Sequence, residues 1–276
     1  MIILLDVDGT LVDYQTNLPD SAAAAVRASI DAGHRVYLCT GRSKAEIYPH
    51  LWDLGVHGLI GGNGSYVESD GEVVHHQVLS PDAVARSVGW LLDRGAAFYV
   101  ECNSGLFGTE DLPEAIAALL PGGASEANIA WVRGAFPHMV YGNLDDADAP
   151  WSGDVNKISF VLRPDLDLAE LADTLSGAAA VDTWLLSADG PAFGEVGQVG
   201  VHKGIAVGRL ADHLGATRDD LAGFGDARSD LELLRACGTA VAMGQAPDEV
   251  KAIATHVTEP VDADGMARAF EHLGLI

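Results

Sequence analysis

Basic residues are scarce in this chain: 16 lysines and arginines stand against 40 aspartates and glutamates, a formal net charge of −24 over 276 residues. So acidic a chain repels nucleic-acid backbones and anionic membranes, and neither is expected as a partner. The plainest reading of the acidity is solubility. If the substrate is itself an anion, however, local positive charge must overcome the global field, so the few Lys and Arg beside conspicuous acids gain interest. Cysteine is equally sparse. Cys39, Cys102 and Cys237 are odd in number, scattered and without CxxC spacing, which argues against a disulfide framework or a thiolate metal site and points to a reducing compartment. No apolar run approaches the roughly 20 residues that span a bilayer. The N-terminus enters an apolar strand without a basic segment or a cleavage site, so a cytoplasmic protein is expected. A GxGxxG turn at a helix start is missing as well, which removes the dinucleotide-binding reading. The remainder, 48% hydrophobic and 20% charged, suits a globular chain with material for one large domain or two modest ones.

What is present begins at once. Ile2-Ile3-Leu4-Leu5 reads as a buried strand that runs into Asp6-Val7-Asp8-Gly9-Thr10, and ligands of open parallel sheets bind beyond the carboxyl ends of strands. Asp6 and Asp8, two apart in extended chain, point the same way and repel each other, which favours a bound cation. Pro19 to Gly33 predicts a helix. Arg35 to Cys39 predicts a second strand, ending in Thr40-Gly41-Arg42-Ser43, a phosphate-cradle composition ahead of a helical pattern from Lys44 to Leu54. A third strand end, Gly58 to Ser65, carries Asn63 among glycines. Between about residues 80 and 188 the parallel rhythm is lost and four of the five tryptophans appear, at positions 90, 131, 151 and 184. The expectation is an inserted α+β domain at 81–187, with 1–80 and 188–276 forming a parallel-sheet core. Val201-His202-Lys203-Gly204 then opens a helix through Leu214. The strand ending in Gly225-Asp226 follows, with Asp230 one helical turn further on. Thr239 to Met243 and His256 to Thr258 would complete the sheet.

These residues resemble the haloacid dehalogenase superfamily, in particular its Cof-type phosphohydrolases with a large cap between the second and third motifs. The resemblance covers nearly the whole chain. Asp6-Val7-Asp8-Gly9-Thr10-Leu11-Val12 matches the first motif, Thr40-Gly41-Arg42 the second, Lys203 the third, and Gly225-Asp226 with Asp230 the fourth. Two positions depart from the family pattern: Ser229 and Gln245 stand where Asn is usual, so altered tuning around a metal is expected rather than lost activity.

The resemblance implies an α/β fold, a Rossmann-like core with an inserted α+β cap, and a magnesium-dependent phosphomonoesterase acting on a small phosphate ester such as a sugar phosphate. It further implies that Asp6 attacks phosphorus to form an aspartyl-phosphate and that Asp8 cycles the proton. The metal would be held by the Asp6 carboxylate, the Asp8 backbone carbonyl and Asp226, with Asp230 as ligand or neighbour. Gly9, Thr40, Gly41, Arg42, Asn63 and Lys203 would surround the phosphoryl group, with Thr40 and Lys203 acting in catalysis. Plainer readings stay open at several positions: Asp230 as a first-turn helix acid, Asn63 as a turn residue, Arg42 as a loop anchor. Cys39 reads as core packing. Trp131, Arg133 and His138 are candidates for contacts to the leaving group, or ordinary surface and core residues. A phosphotransferase or phosphomutase sharing the covalent step and a non-catalytic phosphate-binding protein are the rival functions. A monomer or homodimer is expected.

Overall fold

The computed structural model describes residues 1–136, 138–142, 144, 153–187 and 190–276. Trp151 and the expected domain boundary at Ala188 lie outside the described residues. The chain divides into two compact units, one of residues 1–42, 47–76 and 201–276, the other of 43–46 and 77–200.

The first unit opens with β1 (Ile2–Leu5), β2 (Arg35–Cys39) and β3 (Gly58–Gly61), then turns back through β4 (Tyr66–Ser69) and β5 (Glu72–His76). The second unit carries β6 (Phe98–Cys102), β7 (Leu106–Gly108), β8 (Met139–Tyr141), β9 (Val155–Val161), β10 (Ala180–Ser187) and β11 (Gly190–Gly197). The chain then returns to the first unit for β12 (Leu221–Gly225), β13 (Thr239–Ala242) and β14 (His256–Val257). Within the first unit the sheet order is β14-β13-β12-β1-β2-β3-β4-β5, parallel as far as β3 and antiparallel in its last two steps.

Strand alternation sorts side chains onto two covered faces. Ile3 and Leu5 of β1, with Val36 and Leu38 of β2, pack against the helices Asp20–Asp31 and Gly265–His272 through Ala22, Val26, Ala269 and Phe270. Ile2 and Leu4, with Tyr37 and Cys39, face the helix Lys203–Leu214 through Ala206, Val207 and Leu210. Cys39 is thus core, and burial pushes its thiol far above the ordinary range. Cys102 and Cys237 are buried and free too.

The second unit's sheet has the order β10-β11-β9-β6-β7-β8 and is antiparallel except where β7 meets β8. Phe98 and Val100 of β6 face the helices Pro81–Asp93 and Leu168–Leu175. Tyr99 faces the helices Leu112–Ala118 and Glu126–Ala135. On this second face a polar line runs across the strands: Ser159 donates to Glu101 at 2.6 Å, and Lys157 bridges Glu101 (3.4 Å) and Glu195 (2.9 Å). No helix among the described residues is long and apolar enough to cross a membrane.

Two expectations need correction. β11 pairs with both β10 and β9, so the stretch from Gly190 to Gly200 groups with the second unit rather than with the core. The helix expected from Lys44 to Leu54 is a 3₁₀ turn at Lys44–Glu46 and a single helical turn at Pro49–Trp52. Tyr48, forced extended by the proline that follows it (φ −62°, ψ 138°), breaks the two apart.

Candidate active site

Asp6 follows β1 directly, and its amide continues the ladder by donating to the Phe224 carbonyl at 3.0 Å. Strand pairing therefore sets the carboxylate at the carboxyl edge of the sheet, 6% exposed. Lys203 is the first residue of its helix, where the dipole disfavours a cation. It is held there by two carboxylates. Its Nζ donates to Asp6 Oδ1 and to Asp230 Oδ1, each at 2.6 Å, and the ammonium is 2% exposed.

Asp230 is fully buried. Its Oδ2 accepts from the amides of Asp226 (3.1 Å) and Ala227 (3.0 Å), so one side chain both orients the lysine and shapes the turn that presents Asp226. Asp226 accepts from Thr10 Oγ1 at 3.2 Å through Oδ1 and from the Tyr14 hydroxyl through Oδ2. Gly9 makes that approach possible: it holds φ +86°, and a Cβ there would stand 2.4 Å from Asp226 Oδ2.

Oxygens of Asp6, Asp226 and Asp230 lie within 4.8 Å of one another. Three carboxylates face one ammonium, and the electrostatics follow from that imbalance. Burial foremost, then Asp230, pushes the Asp6 carboxyl well above its usual range against the pull of Lys203. Burial likewise raises Asp226 to about 6, opposed by its hydrogen bonds from Tyr14 and Thr10. Lys203 overcomes its own burial through Asp230 and Asp6 and stays charged. A hard divalent cation such as magnesium fits this all-oxygen, excess-negative donor set.

Asp8 stands apart from the cluster. Its carboxylate receives Arg42 Nε at 2.8 Å and Arg42 Nη2 at 2.7 Å, which leaves only its backbone carbonyl for the metal role expected of it. Arg42, expected at the phosphate, spends those two donors on Asp8 and lies over the Tyr48 ring, 4.9 Å from its centroid.

Thr40, almost fully buried, directly follows β2, with its hydroxyl accepting from the Arg42 amide at 3.2 Å. Its carbonyl accepts from the Asn63 amide at 3.2 Å. Asn63 takes the left-handed conformation (φ 57°), and a Cβ on Gly41 would lie 3.5 Å from its Oδ1. Thr40, Gly41 and Asn63 are thereby neighbours. The Gly62–Gly64 turn also abuts the residue before Lys203, since a Cβ on Gly64 would sit 2.6 Å from the His202 carbonyl oxygen.

Three contributors have partners that the motif reading did not supply. Tyr14 and Thr10 both donate to Asp226. Gln245 donates from Nε2 to the Gly9 carbonyl and accepts the Val261 amide at 3.2 Å, tying the first motif's turn to the C-terminal segment. Thr10 lies within the first motif and Gln245 stands out as a departure from Asn, whereas Tyr14 carries no signal. Ser229, the other departure, is exposed, and none of the cluster's hydrogen bonds among the described residues runs through it. In the second unit, Trp131 and His138 are exposed, and Arg133 lies 5.1 Å from the Tyr141 ring centroid and 3.6 Å from Glu114.

The profile of the haloacid dehalogenase-like hydrolases matches residues 3–270. YkrA of Bacillus subtilis (strain 168), whose name assigns it provisionally to the phosphatases, is 31% identical over 281 residues, covering 100% of this chain and 98% of that protein. The 5-amino-6-(5-phospho-D-ribitylamino)uracil phosphatase YcsE of the same organism is 26% identical, covering 98% of this chain and 94% of its own length. Among solved structures, the subclass IIB sugar phosphatase BT4131 shares the fold with a TM-score of 0.78 at 24% identity, covering 100% of this chain and 99% of its own.

Proposed function

This chain belongs to the haloacid dehalogenase-like hydrolases as a phosphatase of the Cof type, and from that premise we propose that it is a magnesium-dependent phosphomonoesterase working through an aspartyl-phosphate on a small phosphorylated metabolite, a sugar phosphate or similar. The observation that carries the reading is the sealed Asp6–Lys203–Asp230 bridge beside Asp226. A carboxylate at a strand end, its Oδ1 fixed by a buried ammonium, is a nucleophile whose geometry is set before substrate arrives.

In this reading an Asp6 carboxylate oxygen forms a bond to phosphorus as the bond from phosphorus to the ester oxygen breaks. Asp8 gives its proton to the departing alkoxide, which leaves as the alcohol. Water then yields a proton to Asp8 and attacks the same phosphorus, and inorganic phosphate departs with the Asp6 carboxylate restored. Lys203, the Thr40 hydroxyl and the Asn63 amide side chain stabilise the charge that spreads over the equatorial oxygens. Arg42 positions Asp8. Asp6, Asp226 and the Asp8 carbonyl would hold the magnesium, which when bound neutralises phosphate and nucleophile together. Asp230, with both oxygens already engaged, acts on Lys203 and Asp226 rather than as the principal ligand.

The substrate class rests on the resemblance and on the name of the YcsE relative, which is a phosphorylated small molecule. Selection of the leaving group is assigned to the unit of residues 43–46 and 77–200. The test is hydrolysis of p-nitrophenyl phosphate by the wild type and by Asp6→Asn, each with magnesium and with excess chelator. Activity that needs both the cation and Asp6 is expected. Activity surviving in Asp6→Asn would remove the nucleophile from this scheme.

A further inference from the structure

The hydroxyl of Tyr14 touches the candidate metal centre, although no motif places it there. Its donor bond goes to Asp226 Oδ2, with Gln245 beside it and Asp6 near enough to act on it electrostatically. The residue belongs to the loop after β1, which makes its own bonds: Asp13 Oδ1 accepts from the amides of Gln15 (2.9 Å) and Asn17 (2.8 Å), and Asn17 Nδ2 reaches Asp13 Oδ2 at 2.9 Å. The loop is therefore organised without Tyr14. Tyr14 as a residue is 62% exposed, and it belongs to none of the hydrophobic clusters of the core. What fixes it is the hydroxyl among the carboxylates.

Both oxygens of Asp226 are engaged, Oδ1 by Thr10 and Oδ2 by Tyr14. A carboxylate oxygen that takes a strong hydrogen bond offers less charge to a cation, and a positive ion and a hydroxyl proton repel each other across a shared oxygen. The two donors differ in their freedom to leave. Thr10 is fully buried behind the first motif's turn, whereas Tyr14 reaches Asp226 from a largely solvated position.

We propose that Tyr14 is a displaceable hydroxyl gate on Asp226, competing with the divalent cation for Oδ2 and thereby setting the cation affinity of the site. This rests on the reading of the cluster as a divalent-cation site. The gate would keep an excess-negative cluster hydrogen-bonded when no cation binds, and would swing outward when one does.

The experiment is calorimetric titration of MgCl₂ into the full chain as wild type, Tyr14→Phe and Tyr14→Ser, with Asp226→Asn as the site control. A near-ultraviolet tyrosine difference spectrum is recorded during the titration. Removing the competing donor is expected to tighten magnesium binding by about tenfold in both Tyr14 variants, the scale of one hydrogen bond to a charged group. The wild type is expected to show a tyrosine signal on adding magnesium that Tyr14→Phe lacks. Equal or weaker binding in the variants would overturn the gate while leaving the metal reading intact. Absence of binding to wild type and variants alike would overturn the metal reading itself, a different result.

Discussion

Lys203 Nζ lies 2.6 Å from Asp6 Oδ1 with both side chains sealed from water, and the same ammonium lies 2.6 Å from Asp230. The lysine pairs with both acids in a place where burial pushes the Asp6 carboxyl well above its usual range. Lys203→Met leaves both carboxylates buried without a cation, so activity should vanish and stability should fall by about 3–5 kcal/mol at neutral pH. The orphaned Asp6 carboxyl has a folded-state pKa above its unfolded one. Its cost is thus present at high pH and fades as pH falls and it takes up a proton. Denaturant unfolding at neutral pH and near pH 4.5 should show a smaller deficit at the lower pH; an equal deficit at both would contradict this account of the bridge.

Asp226 supplies a second pH-dependent test. Its carboxyl is raised from 3.8 to about 6 by burial foremost, so the folded protein holds that proton more tightly than the unfolded chain does. Ionised Asp226 therefore costs stability above about pH 6, by up to about 3 kcal/mol, and the cost disappears as pH drops below the unfolded value. In the presence of chelator, Asp226→Asn should melt at a higher temperature than the wild type near pH 7.5 and lose that advantage near pH 4. The same substitution should abolish magnesium binding, trading function for stability.

Gly194, in β11, faces the Phe160 ring so closely that an added Cβ would stand 2.1 Å from a ring carbon. Gly194→Ala should cost about 1–3 kcal/mol through overpacking. Hydrogen exchange should locate the loosening in the strands Val155–Val161 and Gly190–Gly197, while magnesium binding at the Asp226 cluster stays near the wild-type value. Faster exchange spread evenly over residues 1–42 and 201–276 would show that the two units do not loosen separately.

Much of this arrangement was legible in short segments, because the informative signals are local. A four-residue aliphatic run followed by Asp6, a helix start at Lys203 and a strand end at Asp226 are each read from a few neighbours, and the structure brings those three residues and Asp230 into one cluster. Asp8 was named with them, but its bidentate pairing with Arg42 depends on where the second strand's turn falls in space. Tyr14 had no local signal at all, since its hydroxyl meets a partner 212 residues away. Only the second strand of the β10–β11 hairpin falls on the other side of the expected boundary at 187, because strand partners, unlike strand propensity, are set by tertiary pairing. Pro49 does carry a local signal against the helix expected from Lys44 to Leu54, since the residue before a proline is pushed to extended backbone.

The central claim is that Asp6 bonds to phosphorus, and a trapped phosphoenzyme tests it most directly. Wild type and Asp8→Asn are mixed with magnesium and p-nitrophenyl phosphate, quenched in acid within the first turnover, digested and analysed by mass spectrometry. A phosphorylated N-terminal peptide carrying the label on Asp6 is predicted. It should accumulate more in Asp8→Asn, where water is no longer activated, and be missing from Asp6→Asn. Turnover by the wild type with no acyl-phosphate at Asp6 in either protein, or with the label on another residue, would contradict the account.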